Sequence, residues 1–460
     1  MKEHAMNGLF SPEEIENAIR SGEIDTVITA FPDHLGRLIG KRTVGDYFLD
    51  HVMTRPLHAC AYLLTVDMEM TPFQGFELTS WDRGYGDFRM IPDFSTLRKI
   101  SWLEKTALVL CDLEGEEDDQ PVQESPRTIL RQQIQLAESR GYSFAMGSEL
   151  EFYLFDQTYR SMYGSSFRDL RPSTDYLVDY HILGTTQDEP VIRDIRNQMN
   201  NSAVPIEFSK GEWGRGQYEI NLRYTHPLEM ADRHAIYKNG AKEIATKHGK
   251  AITFMAKYAS EAAGSSCHLH TSMWGVEDQA NLLWDEGKSA PSQLLRWFIG
   301  GLLQGERELC LLFAPTVNSY KRFRKGSFAP TAISWSVDNR TTCLRCVGHG
   351  GSFRVENRLP GADVNPYLSM AATIAAGMYG IEHQIDCGDP FGGDAYSHSG
   401  LERVPGTLDE AMEAFRNSAI AEWAFGERVK RFLIHQAEIE LSCYHEAVTD
   451  WERNRYFERI

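Results

Sequence analysis

Apolar and polar positions recur along the chain with two periods, and each change of period marks an element. SPEEIENAIRSG, from Ser11 to Gly22, has a capping serine, a proline in the first turn and acidic residues at the favourable dipole end, which predicts a short helix. DTVITAFPDHLGRLIGKR then alternates apolar and polar around a Pro-Asp-His-Leu-Gly turn, the pattern of a hairpin. YLLTVDM and LVLCDL read as further extended segments, so a small β-rich unit is expected over residues 1–112.

The acidic run LEGEEDDQ, residues 113–120, followed by Pro121, predicts a solvated loop or linker. A larger unit is expected over residues 121–460. Within it, SPRTILRQQIQLAESRG and PLEMADRHAIYKNGAKEIATKHG each start near a proline and end at a glycine, as helices do. YLSMAATIAAGMYGIE, residues 367–382, is apolar nearly all round and predicts a core helix. No internal repeat of 20 to 50 residues is visible.

One strand-like run breaks its own apolar pattern. MGSELEFYLFD, residues 146–156, sets Glu149 and Glu151 two positions apart, hence on one face with Cα atoms ~6.5 Å apart. At an effective dielectric of about 20, two such charges repel by roughly 2.5 kcal/mol before desolvation. Three more stretches carry polar faces of the same kind. GEWGRGQYEINLRY places Glu219, Asn221 and Arg223 on one side, with Glu212 across a glycine-rich bend. CHLHTSMW places His268, His270 and Ser272 together, with Leu269 and Met273 on the other face, and FRVENRLPG aligns Arg354, Glu356 and Arg358. Any one of these stretches is also what a half-solvated strand looks like. As a set, glutamates with one or two histidines supply hard oxygen ligands and little sulfur, which suits Mg²⁺ or Mn²⁺ better than zinc or copper.

Composition narrows the partners. With 65 acidic and 47 basic residues the net charge is −18, which argues against nucleic acid or an anionic membrane as a general partner but leaves room for a local anion pocket. No apolar run reaches the ~18 residues of a membrane span and the start has no signal-peptide pattern, so a cytoplasmic location is expected. The single CxxC, Cys343 to Cys346, lacks a second pair at zinc-ligand spacing and reads as an ordinary buried pair.

Cations also gather, in NSYKRFRKGSFAP, DNRTTCLRC, Arg354 and Arg358. Arginines beside a divalent-ion site are how proteins clamp a transferring phosphoryl group; the alternative is surface pairing with the many acids. GRLIGKRT, residues 36–43, falls one residue short of a P-loop and lies in the hairpin, so nucleotide would need another cradle.

Taken in order, GSELEF, GQYEI, TFMAKY with GSSCHLHTS, NSYKRF, DNRTTCLR and RVENRLPGADVNPYLSMAA resemble the motif series of the glutamine synthetase family. The resemblance runs from about residue 82 to the end. It implies an α+β protein: a small β-grasp-like N-terminal domain, and a large catalytic domain whose antiparallel strands form a funnel flanked by helices. It also implies a homo-oligomer of stacked hexameric rings with active sites between subunits. Residue by residue, it implies Glu151, Glu212 and Glu219 as ligands of one metal and Glu149, His268 and Glu356 as ligands of a second. Arg340, Arg345 and Arg354 are similar to the family's phosphate-contacting arginines, and His270 and Ser272 to its ATP contacts. Arg322 and Arg358 match the pair that holds the α-carboxylate of glutamate, with Gly264 in the loop above it. The chemistry implied is phosphorylation of the γ-carboxylate of glutamate by ATP, with two or more Mg²⁺ or Mn²⁺ ions, followed by displacement of phosphate by an amine.

Departures from the family pattern strike one substrate. Where glutamine synthetases carry Glu-Ala-Pro, with a glutamate that helps bind ammonium, this chain has Phe328-Ala329-Pro330. The Asp-Gly-Ser-Ser signature that supplies another ammonium-binding acid is missing from SWDRGYGDFRMIPD, and Ala263 stands where asparagine is usual beside glutamate. Ammonium is strongly hydrated and needs polar ligands, which a phenyl ring does not provide. An organic amine is therefore the expected acceptor, with Phe328 in its site, and the sequence is most similar to the branch making γ-glutamyl ethanolamide, isopropylamide and anilide. A simple core role for Phe328, ammonium as acceptor, a scaffold without catalysis, and a metal hydrolase built on the HxH string are the competing readings.

Overall fold

Ser11 caps the first helix, Pro12–Arg20, through a reciprocal pair: its Oγ accepts from Glu14 N at 3.2 Å, and the Glu14 carboxylate accepts from Ser11 N at 2.7 Å. The computed structural model in which this is seen describes residues 7–277 and 279–460. Next come β1 (Thr26–Pro32) and β2 (Leu38–Val44), the expected hairpin, whose turn is tied by Asp33 Oδ1 accepting from Leu35 N at 3.0 Å and Arg37 N at 2.8 Å. With β3 (Leu57–Cys60), β4 (Asp87–Lys99) and β5 (Thr106–Gly115) they form a five-stranded sheet in the order β2-β1-β5-β4-β3. Only β1 and β5 run parallel.

Two sequence expectations shift here. In YLLTVDM the chain forms a 3₁₀ turn, Ala61–Leu64, and the extended segment is the preceding β3, which pairs with β4. A short apolar run carries too little period to separate strand from turn, so pairing decides. LEGEEDDQ is a loop only from residue 116: Leu113 is fully buried, and Leu113 to Gly115 complete β5.

The second sheet has eight strands: β6 (Tyr142–Phe155), β7 (Ile206–Gly211), β8 (Gln217–Leu222), β9 (Ala251–Thr253), β10 (Cys267–Gly275) and, beyond the small hairpin β11 (Trp284–Asp285) and β12 (Ala290–Pro291), β13 (Trp335–Val337), β14 (Leu344–Val347) and β15 (Arg354–Asn357). Their order is β13-β14-β15-β10-β6-β8-β7, with β9 also on β6. Every pairing is antiparallel except β13 with β14, a departure from a wholly antiparallel funnel.

Helices Pro126–Ser139 and Pro227–Lys247 pack against β6. Helix Pro366–Glu382 is buried on nearly every side, as its composition predicts, and approaches helix Gln293–Glu308 so closely that a Cβ on Gly301 would lie 2.0 Å from Ala376 O. Most buried apolar side chains of both sheets form one continuous core, and Tyr153, Phe155, Met162 and Ala251 make a small separate cluster at the end of β6. Across it, Arg127 donates to Asp232 through Nε (3.0 Å) and Nη2 (2.8 Å), to Asp112 (2.6 Å) and to Asp93 (3.0 Å), tying β4 and β5 to helix Pro227–Lys247. Burial opposes its charge, but Asp232 and its neighbours hold the guanidinium protonated.

Candidate active site

Strand register assembles the polar faces into rows. Glu151 pairs with Glu219 on β8, and Glu219 with Lys210 on β7. One step along, Glu149 pairs with His268 on β10 and with Asn221 on β8. Next, His270 pairs with Glu356 on β15, and Glu356 with Arg345 on β14. Because side chains alternate faces, this register turns every one of these groups to the same side of the sheet. Arg223, expected on that face, lies beyond the end of β8 and is exposed.

All of these paired groups except Asn221 and the buried Glu356 line a cavity of about 750 Å³, which meets a second of about 430 Å³, lined by Asn221, along the shared wall of Glu149, Phe208, His270 and Arg354. Among the described residues, three sets of ligand atoms come within 4.8 Å of one another: Glu151, Glu212 and Glu219; Glu149, Glu219 and His268; Glu149, His270 and Glu356. His268 Nδ1 lies 3.4 Å from Glu149 and 3.5 Å from Glu356, the two acids expected with it at the second metal. His270, expected at the nucleotide, joins the acids as well. Its Nδ1 accepts from Arg354 Nε at 3.1 Å, and its Nε2 lies 2.9 Å from Glu149 Oε1.

The carboxylates divide by environment. Burial and the charge of Glu212 push Glu151 up to about 8, although Ser266 N (2.8 Å) and Oγ (2.6 Å) donate to it. Burial together with Glu149, Glu212 and Glu151 pushes Glu219 up to about 10. Burial also works against ionisation of Glu149 and Glu356, but the histidines bring Glu149 well below the usual carboxylate range, and His268, Arg358 and His270 bring Glu356 down to about 2. A cluster that holds protons because burial and the repulsion of its own charges disfavour ionisation is one a divalent cation would fit, and the donors are hard oxygens plus imidazole.

The arginines stand on the opposite flank. Arg345 Nη1 donates to Glu356 Oε2 at 2.8 Å and its Nε to Asp338 at 3.0 Å; Arg358 donates to Glu356 and, through Nη2, to Phe328 O at 3.2 Å. Arg340 is exposed at the cavity wall, and Ser272 lines the smaller cavity with Trp274 Nε1 donating to its Oγ at 2.8 Å. Gly264 lines the larger cavity and is backed by Arg322, whose Cγ would lie 2.3 Å from a Cβ at that position. Arg322 itself is buried behind the wall, donating to Leu359 O. Ala263 lines the cavity and accepts from Tyr153 Oη through its carbonyl at 2.9 Å.

Phe328 is 50% exposed and lines the cavity, so it is not a core residue. Several wall residues escaped the sequence reading: Lys210, ion-paired with Glu212 and 4.2 Å from the Tyr180 ring centre; Asp179, 3.7 Å from Lys210; Gln217, donating to Glu151 at 3.1 Å; and Trp213. Gln217 was findable, since it stands two positions before Glu219 on the same strand face.

Residues 123–456 match the family described as glutamine synthetase, catalytic domain. The chain belongs to the glutamine synthetase family. Among its relatives in that family, the γ-glutamylethanolamide synthetase GlnA4 of Streptomyces coelicolor is 47% identical over 97% of this chain and 96% of its own. The glutamate–isopropylamine ligase of a Pseudomonas species is 36% identical over 97% and 98%. A solved structure of GmaS in complex with ADP superposes with a TM-score of 0.84 at 27% identity, covering 96% of this chain and 99% of that one. The glutamine synthetase fold is thus that of an α+β chain with a barrel-like sheet. No helix among the described residues is long and apolar enough to cross a membrane.

Proposed function

We propose that this protein is an ATP-dependent ligase that joins the γ-carboxylate of glutamate to the nitrogen of an organic amine through γ-glutamyl phosphate. The observation that carries the reading is Phe328: an apolar ring faces the cavity where ammonium-using members of the family carry a glutamate. The names of the two relatives above, an ethanolamide synthetase and an isopropylamine ligase, support it.

In this reading residues 1–112 are the β-grasp-like domain and residues 121–460 carry the chemistry. Glu151, Glu212 and Glu219 hold one Mg²⁺ or Mn²⁺, and Glu149, His268 and Glu356 hold a second; bound there, the ions neutralise phosphate oxygens of ATP. His270, Ser272 and Arg354 bind the nucleotide along the smaller cavity. Arg340 and Arg345 meet the charge that develops on the transferring phosphoryl group, from a flank where Arg345 is already oriented by Asp338 and Glu356. Arg358, with Gly264, receives the α-carboxylate of glutamate, with Arg322 adding its charge from behind Gly264, and the buried Nε of each arginine has no hydrogen-bond partner among the described residues. The assembly inferred is a ring-forming homo-oligomer in the cytoplasm.

The test is phosphate release from ATP with glutamate and a panel of ammonium, methylamine, ethanolamine, isopropylamine, aniline and putrescine. An organic amine should show the highest kcat/KM. Ammonium as the best acceptor would overturn the reading, and amide formation without ATP would point to a different enzyme class.

A further inference from the structure

Trp213 and Phe328 face one another at the wall of the larger cavity, ring centroids 6.2 Å apart and planes at 71°, the edge-to-face arrangement of interacting rings. Both remain half exposed, at 55% and 50%. Two large apolar rings left in contact with a polar cavity are costly unless something apolar covers them.

Each ring is held in place from behind. Trp213 directly follows Glu212, whose N donates to Gln217 O at 2.9 Å and closes the turn. The next residue, Gly214, is pressed so tightly onto β6 that a Cβ there would lie 2.1 Å from Tyr153 Oη, so the turn has no room behind it and the indole stays on the cavity side. Phe328 sits at φ 59°, a left-handed conformation that a bulky residue adopts only when its surroundings impose it. What imposes it is visible: Phe328 O accepts from Arg358, and Ala329 O accepts from Tyr396 Oη at 3.0 Å. The ring pair is therefore braced on one side by the neighbour of Glu212 and on the other by Arg358.

We infer that Trp213 is a specificity-determining residue, forming with Phe328 the apolar wall on which the carbon body of the acceptor amine packs while its nitrogen points toward Glu212. The inference rests on the amine-ligase reading and narrows it: the acceptor is a primary amine bearing a short hydrocarbon part. Because a buried methylene contributes roughly a fourfold gain, kcat/KM rises by about that factor for each carbon laid against the rings.

The experiment compares ammonium, methylamine, ethylamine and n-propylamine for the parent enzyme, Trp213→Ala, Trp213→Leu and Trp213→Phe, each checked for folding by its melting curve. The readout is the slope of log kcat/KM against carbon number, a ratio that general damage to the nearby acids does not alter. The expected result is a rise of about fourfold per carbon in the parent, largely kept in Trp213→Phe and reduced to less than about twofold in Trp213→Ala, with the loss in the KM for amine rather than for glutamate. Should Trp213→Ala be unstable, Trp213→Leu gives the same comparison, with an intermediate slope expected. A parent slope that survives unchanged in the Ala and Leu variants overturns the inference while leaving the ligase reading intact; a parent that prefers ammonium overturns both.

Discussion

Arg345 donates to Glu356 across the β14–β15 pairing at 2.8 Å, joining the arginine flank of the cavity to its acidic floor. The pair is oriented before any substrate arrives, which is what electrostatic stabilisation of a developing charge requires. Replacing Arg345 with Ala should lower kcat by about 100-fold or more, with a smaller change in the KM for glutamate. Steady-state kinetics of ADP formation check this, and an unchanged kcat would remove Arg345 from the chemistry.

The carboxylates predict a pH dependence with a definite sign. Glu151 and Glu219 have folded-state values of about 8 and about 10, above the ordinary carboxyl value, so the folded protein keeps protons that the unfolded chain releases. In chelator, stability should therefore fall as pH rises from the ordinary carboxyl range through about 8 to about 10, then level off. Glu149 and Glu356 are shifted down, so the stability they contribute is present above the ordinary value and is lost only in acid, near about 2 for Glu356. Melting curves at pH 6 to 9, with and without Mn²⁺, should show a metal-induced gain that grows with pH. A gain that shrinks instead would refute the clustered-acid account.

Glu219→Gln keeps the shape of a buried, protonated carboxyl while removing its charge. In chelator at pH 8 the variant should melt higher than the parent, and its metal affinity should drop by about tenfold or more. Isothermal titration with Mn²⁺ alone measures the second effect, independently of turnover.

Glu306 is fully buried and raised to about 8 by that burial, accepting from Asn357 Nδ2 at 2.7 Å and from Cys343 Sγ at 3.1 Å. It thereby fixes the residue next to Glu356. Glu306→Gln should be nearly neutral, whereas Glu306→Ala strands both donors and should cost about 1–3 kcal/mol in denaturant unfolding.

Arg127 is the fully buried tie between the two sheets' elements, and its removal would leave Asp232 buried with, among the described side chains, only Tyr367 Oη donating to it at 2.7 Å. Arg127→Ala should destabilise by about 3–5 kcal/mol, read from equilibrium unfolding. A loss under about 1 kcal/mol would mean the network is solvated.

Much of this site was legible before folding is considered. Period-two alternation placed Glu149 with Glu151, and His268 with His270, on single faces; proline and glycine bounded the helices Pro126–Ser139 and Pro227–Lys247; and the Phe328-Ala329-Pro330 string marked the acceptor. These are local properties, decided by side-chain chemistry and backbone geometry over a few residues. What only the tertiary structure decided is which strands pair and in what register. That pairing set His270 beside Glu149, and the packing of the loops around the strands put Lys210 against Glu212, withdrew Arg322 behind Gly264, and turned Trp213 toward Phe328. Face alternation says which side of a strand a residue occupies, but its neighbour across the sheet depends on contacts between segments far apart in the chain, and no local period encodes that distance.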